Sequence, residues 1–167
     1  MLLILIALPG LGLFYWVFSP LTVYPVFGLW DIFFNPVFCE ACGINAIVIN
    51  QFVIEIVGAC IAGSAYSFLL ILNLSTPKIK LSKRLKFLGV SFLIFLVLNI
   101  LRIFFMGVLY VNGSAWFDFA HKFMWYIGTT VLVLLIWFIG VRMLKIKEIP
   151  FYSDIRYLYS HTKRKKN

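Results

Sequence analysis

Residues 78–111 read KIKLSKRLKFLGVSFLIFLVLNILRIFFMGVLYV, a basic segment (Lys78, Lys80, Lys83, Arg84, Lys86) followed by the apolar run Phe87–Val111, whose only charge is Arg102. About 20 consecutive apolar residues suffice for a helix to cross the hydrocarbon core of a bilayer. Lys and Arg collect on the cytoplasmic side of such a crossing. The stretch therefore predicts a transmembrane helix and also its direction, with residues 78–86 inside and Val111 outside. The rest of the chain agrees. Of its 167 residues, 63% are hydrophobic, 19% aromatic and only 13% charged, whereas a globular protein is roughly 45–50% apolar. A soluble domain of this length could not bury so much apolar surface.

The net charge of +9 could suggest a nucleic-acid binder, but no Lys or Arg precedes Lys78. Apart from Arg102 and Lys122, the remaining basic residues collect after the last apolar run, from Arg142 to Lys163-Arg164-Lys165-Lys166. That is a topology signal, and no nucleic-acid partner is expected. The tail is expected to be solvated or drawn to lipid headgroups. Three cysteines are too few for a disulfide-stapled secreted scaffold.

Working outward, Met1–Phe18 reads as a first span rather than a signal peptide, since it has no basic leader and no small-residue cleavage site. Pro9, Gly10 and Gly12 should bend it, and Ser19-Pro20 should end it. Pro25, Asp31, Asn35, Pro36 and Glu40 interrupt the following stretch, so 21–38 reads as an interfacial or re-entrant segment. Ala46–Val57 is rich in β-branched residues, alternating on either side of Asn50-Gln51, which predicts a short β-hairpin. Further spans are expected over about Cys60–Ser75, Phe87–Val111 and Phe119–Val141. The expected fold is an all-α integral membrane bundle of about four helices, with a small extracytoplasmic segment before the second clear span. Residues 1–143 form one transmembrane domain and 144–167 a basic cytoplasmic tail. No internal repeat is visible.

This topology places three reactive side chains at one depth. With about 1.5 Å of rise per residue, Cys60 lies roughly 27 Å from Lys78, Arg102 roughly 24 Å from Lys86 and His121 roughly 31 Å from Arg142. All three fall near the outer boundary of a core about 30 Å thick, on three different helices. Each has a plainer explanation. A lone Cys is usually a small buried hydrophobe, and the Gly58, Ala59, Ala62, Gly63, Ser64 and Ala65 cluster around it suits close helix packing. Arg102 could snorkel to the outer headgroups and His121 could be an interfacial residue, as could Lys122. An Arg inside a span nevertheless costs on the order of 2.5–3.5 kcal/mol, which favours a bundle-facing role. Asn99, one turn from Arg102, is positioned to hydrogen-bond across the bundle. Asp118, three residues before His121, could orient the imidazole if the helix reaches that far. Together these residues suit nucleophilic chemistry: a thiol, a guanidinium to favour thiolate or stabilise an oxyanion, and an imidazole for proton transfer.

The run Ala59-Cys60-Ile61-Ala62-Gly63-Ser64-Ala65-Tyr66, then Asn99-x-x-Arg102-Ile103, then His121 entering the last span resembles the exosortase/archaeosortase family, especially its shorter archaeosortase-like members. The likeness covers roughly Ile47 to Trp137. It implies a membrane-embedded cysteine protease or transpeptidase in the plasma membrane, with its site facing outward and its C-terminus inside. Cys60 would be the nucleophile, Arg102 the essential arginine and His121 the general acid/base; Asn99, Gly63, Ser64, Tyr66 and Asp118 would support them. The implied partners are surface proteins with a C-terminal sorting tail (a signature motif, an apolar helix and a basic cluster), membrane lipids and a lipid acceptor. No cofactor or metal is implied. Two departures stand out: two residues separate Cys60 from Gly63 where many exosortases read Cys-Ser-Gly, and the extra N-terminal spans of larger members are lacking.

Cys39-Glu40-Ala41-Cys42 supports rival readings: a thiol-disulfide oxidoreductase working with Cys60, half a zinc site completed by His121, or a simple stabilising disulfide. Cys42-Gly43-Ile44 also faintly echoes Cys-Ser-Gly, but no continuous helix is expected after it. Glu55 stands out in an apolar strand, as structure or as a substrate contact. A non-catalytic membrane subunit is the third class of reading.

Overall fold

The computed structural model describes residues 2–43, 45–76 and 80–143; the basic tail 144–167 and Lys78-Ile79 of the basic loop lie outside the described residues. Among the described residues, four helical stretches are long and apolar enough to cross a membrane: Gly12–Asp31, Gly58–Ser75, Leu81–Val111 and Phe117–Met143. In chain order the elements are α1 (Leu2–Asp31), strands β1 (Val37–Phe38), β2 (Ala46–Ile49) and β3 (Phe52–Glu55), then α2 (Gly58–Ile61), α3 (Gly63–Ser75), α4 (Leu81–Val111), α5 (Phe117–Phe123), a π-helical turn at Met124–Gly128 and α6 (Thr129–Met143).

The largest departure from expectation is α1. It runs unbroken through Ser19-Pro20, and its membrane-length part, Gly12–Asp31, includes residues assigned above to an interfacial or re-entrant 21–38 segment. The reason is packing. Val23, Val26 and Trp30 recur at helical spacing and are buried, while Pro20 and Pro25 lie on the exposed side. A proline removes one hydrogen bond from the ladder, and a membrane helix tolerates that loss when its neighbours cover the site. Only residues beyond Asp31 leave the helix.

The expected hairpin is present and gains a third strand. The antiparallel sheet has the order β1-β2-β3, with Ile47 opposite Ile54 and Ile49 opposite Phe52. Asn50 takes a left-handed conformation in the two-residue connection, as a tight hairpin turn demands. Ile47 and Ile49 are fully buried and join Val23, Val26, Trp30, Ile61 and Ile103 in one core, so the sheet packs its inner face on the ends of α1 and α4.

In α4 the buried residues are Phe87, Ser91, Phe95, Asn99, Ile103 and Gly107, a strict four-residue repeat. Such a row is an i±4 ridge, the surface that seats in a neighbouring helix groove. Gly107 ends the ridge because Trp30 occupies the space a side chain would need, its indole donating to the Phe104 carbonyl at 3.3 Å. Gly107→Ala places a methyl group inside that ring. It is expected to cost about 1–3 kcal/mol, seen as a lowered unfolding temperature in detergent; an unchanged temperature would mean that Trp30 relocates freely. At the opposite end Arg84 donates to the carbonyls of Leu74 and Thr76, both at 2.8 Å, and so caps α3.

Candidate active site

The site begins at a break in the helix that carries Cys60. Ala62 adopts a left-handed conformation (φ 58°, ψ 43°) between α2 and α3. For a residue with a Cβ this costs about 1–2 kcal/mol. The break also disturbs the ladder: the Ala65 N–H, which would serve the Ile61 carbonyl in a continuous helix, closes on Ala62 O at 2.9 Å. Carbonyls are thus released beside the only cysteine outside the Cys39–Cys42 disulfide.

Helix α4 supplies their partners. Asn99, itself buried, donates to Cys60 O at 3.0 Å and to Ile61 O at 3.4 Å. Arg102 donates through Nη2 to Cys60 O at 3.0 Å and through Nη1 to Thr129 Oγ1 at 2.7 Å. The guanidinium is therefore turned into the bundle, not snorkelled outward. It ties the Cys60 backbone to the last span. A guanidinium carries five N–H donors, so further donors remain beyond these two bonds. Asn99→Leu removes donors from two released carbonyls. It is expected to destabilise the fold by about 1–3 kcal/mol, measured by thermal unfolding; wild-type stability would show that the break needs no support from α4.

The third element contributes through the π-helical turn. Thr129 Oγ1, which accepts from Arg102, donates to Met124 O at 3.0 Å. On a regular α-helix His121 and Thr129, eight residues apart, would point about 80° away from each other. The wider π turn rotates less per residue and brings them toward one face; such turns recur at functional sites. His121 is half-buried, its ring stacked on Phe117 (centroids 5.5 Å, planes 6° apart) and edge-on to Trp125 at 5.6 Å.

Cys60, Arg102 and His121 line a single cavity of about 480 Å³, together with Ser64, Thr129, Glu55 and the residues flanking it in β3. The three residues brought together by depth arithmetic thus share a wall. The supporting residues divide. Asn99 acts from behind the cavity on the Cys60 carbonyl. Gly63 does not face the cavity; a Cβ there would lie 2.8 Å from the Tyr15 ring, so its smallness admits α1. Tyr66 is buried in the bundle core, stacked on Phe18 with centroids 3.7 Å apart, and does not line the cavity. Asp118 does lie within α5, but its exposed carboxylate faces Lys122 at 4.0 Å, and aromatic rings, not the carboxylate, hold His121. A carboxylate one turn away gains more from solvent and a lysine than from an imidazole wedged between rings.

Thr129 was not legible as a site residue. Its only mark in the sequence is a pair of hydroxyls, Thr129-Thr130, after Gly128 in an apolar run. Cys39 and Cys42 are joined in a disulfide near the β1–β2 connection, and neither lines the cavity. In that state their thiolates cannot join His121 on a metal. The site therefore defines a helical bundle with a thiol, a guanidinium and an imidazole around one cavity. Comparison with known families, with characterised proteins and with solved structures finds no match for this chain.

Proposed function

We propose that the protein is a membrane-embedded cysteine peptidase or transpeptidase of the kind its resemblance to exosortases and archaeosortases implies. It would cleave the C-terminal sorting signals of surface proteins and pass the new carboxyl end to an acceptor. The observation that carries this reading is the shared cavity: Cys60, Arg102 and His121 come from three separate helices and meet in one hollow.

The chemistry follows from their roles. Cys60 gives its proton to His121 and its sulfur attacks the scissile carbonyl carbon. As the S–C bond forms, the carbonyl electron pair moves onto oxygen, where the remaining Arg102 donors stabilise the oxyanion. Collapse breaks the C–N bond, and His121 delivers its proton to the departing amine. The resulting thioester is then attacked by an amine, a hydroxyl or water, which yields its proton to His121. The thiolate departs and is reprotonated. Arg102 also fixes the Cys60 backbone, so the nucleophile and oxyanion donors are oriented by one side chain. The charge pattern puts residues 78–86 and the tail in the cytoplasm. The small sheet and the cavity then face outward, where sorting tails of surface proteins are exposed.

The direct test is a thioester between Cys60 and a substrate fragment. Candidate substrates are proteins of the same membrane ending in a shared motif, an apolar helix and a basic tip. Mass spectrometry after rapid quenching should find the adduct on Cys60, and hydroxylamine should release it. Cleavage that proceeds with no adduct at Cys60 would refute the assignment. The disulfide gives an independent discriminator. A Cys39→Ser, Cys42→Ser double variant is expected to retain processing, because neither sulfur touches the cavity; a dead double variant would instead favour the oxidoreductase reading.

A further inference from the structure

The sheet edge beside Cys60 is formed by β3, the outer strand of the order β1-β2-β3. The pairs Ile49–Phe52 and Ile47–Ile54 flank the tight turn in β2–β3, and opposed residues in an antiparallel ladder alternate between bonded and non-bonded pairs. The phase is fixed independently: Ile56 N–H donates to Asn45 O at 3.2 Å, continuing the bonded set 49/52, 47/54, 45/56. Phe52 and Ile54 therefore use their backbone groups on β2, while Val53 and Glu55 direct theirs to the outer edge. Glu55 O is taken by Val57 N–H at 3.2 Å. Among the described residues, the Val53 N–H, the Val53 carbonyl and the Glu55 N–H have no partner on that edge.

The cavity runs along this edge. Side chains of successive strand residues point to opposite faces, so a hollow over one face of the sheet would meet alternate residues. Here Val53 through Val57 line it without a gap, and the same hollow reaches Cys60. The strand leads straight into α2, where Cys60 N–H bonds to Val57 O at 2.8 Å.

We infer that the substrate binds by strand addition: an extended peptide pairs with the outer edge of β3 through Val53 and Glu55, which delivers its scissile carbonyl to Cys60. This rests on the peptidase reading above and adds the binding mode. Main-chain hydrogen bonds supply affinity in such complexes, and pockets for alternate side chains supply specificity. The Glu55 carboxylate turns toward Gly43 in the β1–β2 connection and leaves the outer edge to the backbone groups. The occupant is thus an extended segment with free N–H groups, not a helix.

The test uses the full-length protein in nanodiscs, with the disulfide oxidised so that Cys60 is the one thiol. Two alkylating probes are compared: iodoacetamide, which needs only access, and an acetyl-trialanyl vinyl sulfone, to which the thiol adds across the double bond with its proton passing to the α-carbon. Strand addition predicts that the peptidyl probe gains at least tenfold in rate over a vinyl sulfone lacking the peptide. Methylating the probe's alternate peptide nitrogens should remove that gain. Val53→Pro should remove it too, since it deletes an outward N–H the ladder does not use, while the iodoacetamide rate stays within twofold of wild type. A gain that survives both changes overturns strand addition and leaves the peptidase reading standing. Absence of iodoacetamide labelling at Cys60 overturns the peptidase reading itself. Efficient oxidative cross-linking of Val53→Cys between two chains in intact membranes would show a second copy on this edge and would also overturn the inference. The N-methylated probe needs no variant, so the test holds even if Val53→Pro fails to fold.

Discussion

Cys60→Ala is expected to abolish processing of the substrate while leaving the protein inserted and folded. In the proposed reaction the acyl group is carried on the Cys60 sulfur, and no other thiol reaches the cavity: Cys39 and Cys42 are bonded to each other away from it. Removing the nucleophile of such an assembly costs on the order of 10⁴–10⁶ in rate, because proton transfer and oxyanion stabilisation have nothing left to act on. The fold should survive because the bonds from Asn99 and Arg102 reach the Cys60 backbone carbonyl, which alanine keeps. Immunoblotting of a co-expressed substrate, with unfolding temperature measured in parallel, checks both halves. Normal processing by a stable Cys60→Ala protein would remove the enzyme reading altogether.

Arg102→Lys is expected to lose nearly as much activity as Arg102→Ala, about 10²–10³-fold, although the charge is kept. The guanidinium bridges Cys60 O and Thr129 Oγ1 with two different nitrogens and retains donors for an oxyanion. A lysine offers a compact, mobile ammonium that cannot hold this forked geometry. Removing one oxyanion donor alone is worth about 10²–10³ in turnover. Arg102→Ala should in addition lower stability, because Cys60 O loses one donor and Thr129 Oγ1 loses its interhelical partner. Processing rates and unfolding temperatures for the two variants separate the effects. A fully active Arg102→Lys protein would reduce Arg102 to a point charge.

The order of the helices was readable because it depends on one-dimensional quantities. The apolar run Phe87–Val111 required nothing from the third dimension, and a single rise per residue sufficed to single out Cys60, Arg102 and His121, which line one cavity. The β-hairpin was similarly local, carried by β-branched alternation around Asn50-Gln51. The prolines of α1 do not end the helix because helix breaking is a local penalty, whereas the burial of Val23, Val26 and Trp30 is set by the tertiary packing.

Position along each helix is thus what the amino-acid order determined by itself, along with the identity of the thiol, guanidinium and imidazole that line the cavity. Azimuth, the direction each side chain takes around its helix, was decided only by the tertiary structure. The left-handed Ala62 opens the Cys60 helix, the π turn at Met124–Gly128 brings His121 and Thr129 toward one face, and Arg102 joins the two. The hydrogen bonds that join those features link residues as far as 42 positions apart, which no periodicity in the chain encodes.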